Sequence, residues 1–455
     1  MLTFHTADGT EVVFPTLMVR AMQRYFSLTH KVPYFTFVVW CVANHEARGV
    51  HSMNKIRIPI AAAVAVSCLM LAACGSSTNP NAATSSESQD GPIVIGAAVA
   101  TSGFMTSFDE PDMAGFKIAM DEVNAAGGID GRQIELIQED TTSTAAGAKK
   151  AAETLIDQGA RILLTSANFD VGSPAGIAAQ DQGILNVSIG AASPKYGAQG
   201  IGPQAYTVAP ATYLEGATLA QLAKEKGWTT PFLLDDKSLD YSTEVCQGFR
   251  DHAADLGLQT QEDSFNNSDQ SIASQITKIK SSGATAIALC SYTPGGATAV
   301  RQLRAAGIDL PILSGIGMAG TYWLDAVPDL SNFYTASTAS IYGDDPNPKV
   351  NDFITAFTEA TGAGPATDAA VGGYSAGEMI FDAIEKAGGS TDGAALSDQL
   401  DTLTDEPLLA GSTTFTPELH IPADRPLAII EYTAGKPAYT ETLPVEGTVD
   451  LHLGN

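Results

Sequence analysis

From residue 91 onward, short apolar runs alternate with segments whose apolar positions recur every three or four residues. The run 93–100 (IVIGAAVA) is continuous and apolar, which predicts a strand buried on both faces of a parallel sheet. The next segment, 111–126, sets Met113, Phe116, Ala119, Met120 and Val123 at helical spacing and ends at Gly127-Gly128, a left-handed stop. Strands follow over 133–138, 161–165 and 184–189, with helices over 144–158 and 172–182 between them. A second series predicts helices over 213–226, 241–256, 270–281 and 295–306, and strands over 231–235, 258–264, 285–290 and 311–314. Strands alternating with helices of this length mean βαβ units and parallel sheets covered on both faces. Two such series exceed one ordinary sheet, so the expected fold is α/β, with two doubly wound lobes, a hinge and a ligand cleft between them.

After residue 333 the pattern is mostly helical (348–361, 368–387, 394–403) and closes on a hairpin-like pair, 427–433 and 438–443. No linker separates two sequential halves, so the chain is expected to cross between lobes. Residues 92–210 plus 339–425 are assigned to lobe 1, and 211–338 plus 426–455 to lobe 2. Ligands of open α/β sheets bind beyond the carboxyl ends of the strands, which places the site in the cleft.

The N-terminal region has a different pattern. Residues 1–52 hold 8 of the 33 aromatics and 4 of the 7 histidines, which sets them apart from the rest of the chain. Met53 then opens a short basic head (Asn54-Lys55-Ile56-Arg57) and an uncharged run over 58–73. That is the layout of a secretory signal over 53–73, and it falls short of the roughly 20 apolar residues of a spanning helix. Residues 1–52 would stand upstream of a working signal, so they read as an extension from a start codon placed too early. The other reading, a membrane segment near 34–43, has too short an apolar run. Leu71-Ala72-Ala73-Cys74-Gly75 resembles a bacterial lipobox, which implies that Cys74 is lipidated and begins the mature chain. Residues 74–91, rich in Ser, Asn and Thr, would be the tether. One acyl chain holds a membrane only marginally, so the several chains of a bacterial lipoprotein suit an anchor.

Charge removes several function classes. With 24 Lys+Arg against 51 Asp+Glu the formal charge is −27, which leaves no basic patch for a phosphate backbone. Five cysteines without a C-x-x-C, and three histidines after residue 52 without an H-x-x-x-H, exclude a disulfide scaffold and leave a metal centre short of ligands. No cofactor is implied, and a monomer is expected.

Asn124-Ala125-Ala126-Gly127-Gly128-Ile129-Asp130-Gly131-Arg132 follows the first strand and helix. It resembles the N-x-x-G-G-I-x-G-R segment of type I solute-binding proteins, the leucine/isoleucine/valine-binding family of branched-chain amino acid ABC uptake. Thr101-Ser102-Gly103, Ser188 to Pro194, Asp240-Tyr241-Ser242 and Gly373-Tyr374-Ser375 add to the likeness, which covers about 92–445. The resemblance implies a non-enzymatic lipoprotein that captures a small ligand outside the membrane and delivers it to ABC permease subunits. It implies a site built from Ser102 and Phe104 after the first strand, and Asn168 and Phe169 after the third. Ala191, Ala192 and Ser193 would offer N–H groups and a hydroxyl to a carboxylate. Tyr241 and Tyr292, with Gly317, would supply the second lobe's face. Plain strand–helix packing is the alternative for the two tyrosines, and a plain turn is the alternative for Ser193 before Pro194.

Two departures bear on the ligand. Asn168-Phe169-Asp170 stands where the family has a small Gly/Ser-rich turn. Where the family places an acid for the ligand's ammonium, this chain has Ser314-Gly315-Ile316-Gly317-Met318, and Asp235, Asp236 or Asp240 remain as substitutes. An amino acid, a neutral-tailed carboxylate, an amide and an aromatic acid therefore all stay open. A ligand sensor signalling to a partner is the alternative output. A more remote one is a secreted serine hydrolase, since Gly373-Tyr374-Ser375-Ala376-Gly377 matches G-x-S-x-G with Asp382 and His420 downstream. That motif needs a strand before it, and the pattern there is helical. Cys246 and Cys290 are a candidate disulfide in an oxidising compartment, with pairing left open because their Cα separation decides it.

Overall fold

The computed structural model describes residues 2–5, 11–14 and 91–453. The expectations for the signal, Cys74 and the tether through residue 90 lie outside the described residues. Strands β1 (Leu2–His5) and β2 (Glu11–Phe14) form an antiparallel pair and belong to a different compact unit from residues 85–455.

Within the larger unit the first sheet is all parallel. It contains β3 (Ile93–Val99), β4 (Ile134–Asp140), β5 (Ile162–Thr165), β6 (Leu185–Ser188) and β7 (Ala205–Thr207) in the order β4-β3-β5-β6-β7. Helices α1 (Thr106–Ala125), α2 (Ala145–Asp157) and α3 (Phe169–Gln180) connect its first four strands. The chain then crosses into α4 (Thr212–Glu225) and a second sheet. Here β8 (Pro231–Asp236), β9 (Gln261–Phe265), β10 (Ala286–Cys290), β11 (Ile312–Ser314) and β12 (Phe333–Ser337) repeat the same parallel order, β9-β8-β10-β11-β12. Helices α5 (Asp240–Asp255), α6 (Ala273–Ser282) and α7 (Gly295–Ala305) lie between these strands.

The chain crosses back for α8 (Pro348–Thr361), α9 (Ala369–Lys386) and α10 (Gly393–Leu400), which pack on α1 and β6 of the first lobe. The short hairpin β13 (Glu406–Leu408) and β14 (Gly411–Thr413) follows. Strands β15 (Leu427–Thr433) and β16 (Lys436–Leu443) then add antiparallel to the edge of the second sheet at β12. The result is a pair of doubly wound lobes, each offering a switch point where the strand order reverses.

Sequence patterning located the long elements to within a few residues, with the larger offsets at strand and helix starts. The helix expected from residue 172 begins at Phe169 because the Asn168 side chain caps it, accepting from Val171 N–H. Strands β7, β12, β13 and β14 were not anticipated; at three to five residues they carry too little pattern to stand out.

Helices α1 and α9 touch through glycines. A Cβ on Gly115 would fall 1.9 Å from the Ala370 carbonyl oxygen, and one on Gly373 would fall 1.7 Å from that of Asp112. The G-x-S-x-G sequence thus serves close helix packing. It sits inside α9 with no strand before it, and buried Ser375 accepts from Ala410 N–H while donating to Glu378. Asp382 pairs with Lys386, and His420 stacks on Tyr206 beside Asp401, so neither faces that serine.

Cys246 of α5 and Cys290 at the end of β10 are joined in a disulfide with a Cα–Cα distance of 5.5 Å. The bridge ties the helix that carries Tyr241 to the strand end that leads into Tyr292. It closes a loop spanning 44 residues, so replacing both cysteines by alanine should lower the unfolding free energy by about 2–4 kcal/mol in a urea titration. An unchanged midpoint and slope would mean that the bridge does not form.

Candidate ligand-binding site

A cavity of about 80 Å³ lies between the lobes, beyond the carboxyl ends of both sheets. Its walls are mainly apolar: Met105, Phe108, Ile189 and Val208 face it from the first lobe, Leu239 and Ile316 from the second. Several contacts hold the lobes together around it. Lys195 of the first lobe reaches Asp240 (2.6 Å) and Glu244 (3.1 Å) in the first turns of α5, and Ser193 Oγ donates to Glu244 (2.9 Å). Asp240 N–H donates to Asp170 Oδ2 at 3.2 Å, and the Phe104 ring meets that of Tyr292 across the gap, centroids 5.9 Å apart.

Of the ten residues expected in the site, Asn168, Ala192, Tyr241, Tyr292 and Gly317 line the cavity. The other five stand around it. Ser102 Oγ is bound to Asp140 at 2.6 Å and braces its own loop. Phe104 reaches the cleft only as the ring against Tyr292. Phe169, in the first turn of α3, packs on the cluster of Ala191 and Tyr196. Ala191 has both backbone groups in use, its N–H on Ser188 Oγ and its carbonyl on Thr207 Oγ1. Ser193 serves the interlobe contact just described.

Three buried acids missing from those ten line the cavity: Asp112 on α1, Glu215 on α4 and Asp368 capping α9. Glu215 is a second-lobe acid that lies against the Ser314–Met318 stretch, which itself carries none. Its Oε2 accepts from Ile316 N–H (3.0 Å) and from the Tyr241 hydroxyl (2.8 Å), which in turn accepts from Gly317 N–H (2.7 Å). The proposed substitutes are occupied elsewhere: Asp235 with Lys237, Asp236 with Ser291 and Asn267, Asp240 with Lys195.

Glu215 Oε1, Asp368 Oδ1 and both oxygens of Asp112 are buried without a hydrogen-bond partner. Asp235 Oδ1 and Asp263 Oδ2 are also buried without a hydrogen-bond partner, but neither residue lines the cavity; the three acids here combine unused oxygens with a place in its wall. Gly373 N–H lies near enough to favour the charged form of Asp112, yet closes no hydrogen bond to it. Burial pushes Glu215 up to about 8 and Asp368 up to about 6, and raises Asp112 well above the carboxylate range, with Asp109 and Asp368 adding to the effect. Asp109 makes the contrast: it too is lifted to about 6 by burial, but it accepts from Ala100 N–H, Ala167 N–H and Ser166 Oγ, and so fastens the loops after β3 and β5.

The sequence carried a signal for two of these. Asp109 and Asp112 share the helical face of Met113, Phe116 and Ala119, and acids on an apolar stripe are buried acids. Glu215 had no such signal, since glutamate inside a helix is ordinarily a solvated residue.

An α/β binding protein with two lobes closed on a small enclosed site is the class that this geometry defines. The chain belongs to the periplasmic binding protein family, whose model matches residues 92–437. It is 25% identical over 312 residues to a Leu/Ile/Val-binding protein homolog of Brucella melitensis, covering 68% of this chain and 83% of that one. A leucine-, isoleucine-, valine-, threonine- and alanine-binding protein of Pseudomonas aeruginosa is 24% identical, with 65% and 79% covered. The fold is that of the branched-chain amino acid transporter substrate-binding protein LivJ of Streptococcus pneumoniae, solved with isoleucine (TM-score 0.70, 24% identity, 78% of this chain and 99% of that one). Its fold is also similar to that of an ABC transporter solute-binding protein of R. palustris solved with benzoate (TM-score 0.68, 17% identity, 79% of this chain and 99% of that one).

Raised carboxyl values have a definite sign in stability. The folded chain holds protons on Glu215 that the unfolded chain releases above its ordinary value of 4.5, so this stability is lost as pH rises through about 8. Buried His252 and His420, both lowered from 6.5, are already neutral in the upper part of that window. Between pH 6.5 and 8.5 the ligand-free protein should therefore lose stability on the order of a few kcal/mol, and Glu215→Gln should flatten the slope. Urea titrations at the two pH values check this; equal slopes in both proteins would contradict it.

Proposed function

We propose that this chain is the extracytoplasmic solute-binding component of an ABC uptake system, closing its lobes around one small solute that carries an amino group. The observation that carries this reading is the Glu215–Tyr241 pair. A carboxyl fixed by Ile316 N–H and the Tyr241 hydroxyl keeps one oxygen unpartnered at the wall of an apolar cavity that Tyr241 also lines. An ammonium there gains a charge-assisted hydrogen bond and a cation–π wall, and it removes the cost of an unpartnered buried carboxyl. The solute classes in the names of the relatives, branched-chain and small neutral amino acids, share that group. Lipidation at Cys74 would keep the loaded protein beside its permease, raising its effective concentration there.

Two outcomes are expected. Among amino acids, amines and carboxylates without nitrogen, such as benzoate, only nitrogen-bearing compounds should bind in calorimetric titrations. Glu215→Gln should weaken that binding roughly tenfold or more without lowering the melting temperature. Binding of benzoate alone, unaffected by the substitution, would contradict the reading. For the anchor, Cys74→Ser should move the protein from the membrane pellet to the soluble fraction. Persistence in the pellet would mean that another segment holds it.

A further inference from the structure

The Glu215 end accounts for one of the cavity's four unpartnered carboxyl oxygens; the other three belong to Asp112 and Asp368 on the first lobe. This is the side where a ligand carboxylate would sit if the site followed the usual amino acid arrangement. The groups present are wrong for that. Among the described residues no lysine, arginine or histidine lines the cavity. The Asp112 carboxyl lies between two cavity-lining glycines, where a Cβ on Gly190 would stand 3.2 Å from Oδ2 and one on Gly372 would stand 3.3 Å from Oδ1. Side chains are thus kept away from both oxygens at this part of the cavity wall.

Asp368 is within Coulombic reach of both other acids and raises each of them. Yet among the described residues no three acids are gathered closely enough to ligate one metal ion. The acids come from both lobes, and apolar residues line the cavity beside them: Ile316 next to Glu215, and Ile189 and Val208 on the first lobe. Unpartnered acids on both lobes with apolar lining beside them match an alkyl chain carrying two nitrogen cations.

We propose that the cleft takes a small ligand with two cationic nitrogen groups, one held by Glu215 and the second by Asp112 with Asp368. The proposal rests on the amine-capture reading above and adds the second charge. A bound carboxylate would have to approach orphaned acid oxygens without a counter-cation, which is unfavourable in a low-dielectric site. A second ammonium or guanidinium supplies the N–H donors that those oxygens lack. Dibasic amino acids and alkyl diamines share this chemistry.

Matched pairs that differ by one terminal nitrogen test it. The full chain is titrated at pH 7.5 with L-lysine against L-norleucine, and with 1,4-diaminobutane against 1-aminobutane. The dibasic member of at least one pair should bind tenfold or more tighter than its partner, and the pair that does so distinguishes an amino acid from a diamine. Asp112→Asn should abolish that advantage while raising the melting temperature of the ligand-free protein, whereas a merely structural aspartate would lower it. Norleucine or leucine binding as tightly as lysine, with neither diamine nor lysine preferred, would overturn the second-charge proposal and leave amine capture standing. Binding only of nitrogen-free carboxylates would overturn both. Failure of every dibasic probe to bind would also overturn the proposal, and the wild-type comparison decides the matter even if Asp112→Asn does not fold.

Discussion

Taking a carboxyl group out of water costs several kcal/mol unless hydrogen bonds or an opposite charge compensate it. The closed cleft of this protein contains three such groups with oxygens left over, and the rest of the design follows from where they stand. Asp112 and Asp368 belong to the first lobe and Glu215 to the second, so closing the lobes brings like charges toward one another. An empty closed cleft is therefore electrostatically poor, and protonation is its only internal relief. A cationic ligand converts the same carboxyls from a liability into the strongest contacts in the site. Closure then depends on loading, as a capture protein requires.

The scaffold makes this placement affordable. Asp112 faces the cavity because α1 and α9 approach to backbone contact through Gly115 and Gly373, leaving no room for larger side chains there. Glu215 is aimed by the crossing segment before α4, and held by the N–H of Ile316 just beyond β11. The disulfide between α5 and β10 fixes Tyr241 and Tyr292 relative to each other. Around the rim, the Lys195 pairs with Asp240 and Glu244 bridge the lobes with groups that do not touch the cavity, and Phe104 meets the cavity-lining Tyr292 from the other side. Partly exposed pairs of that kind contribute little individually, which suits contacts that must open again.

How much of this was legible in the chain divides along physical lines. The long elements were, because the buried faces of β3, β5 and α1 impose their own periods on the sequence. The cleft tyrosines and Gly317 came from family likeness rather than from pattern. Glu215 was not legible: its importance arises from a crossing between lobes that brings the first turn of α4 to the loop after β11, a contact 101 residues apart in sequence. Ala191 and Ser193 were offered as ligand donors, but the turn uses their polar groups for itself and for Glu244. Only tertiary contacts reveal which donors are already taken.

The account stands on carboxyls that remain protonated near neutral pH in the empty cleft. Difference infrared spectroscopy of the ligand-free chain, titrated from pH 5 to 9, reads this directly through the carbonyl stretch of neutral carboxyl groups. The account predicts such a band persisting at pH 7, lost near pH 8 and diminished by Glu215→Gln. Full ionisation of every carboxyl by pH 6, with no difference between the two proteins, would contradict it.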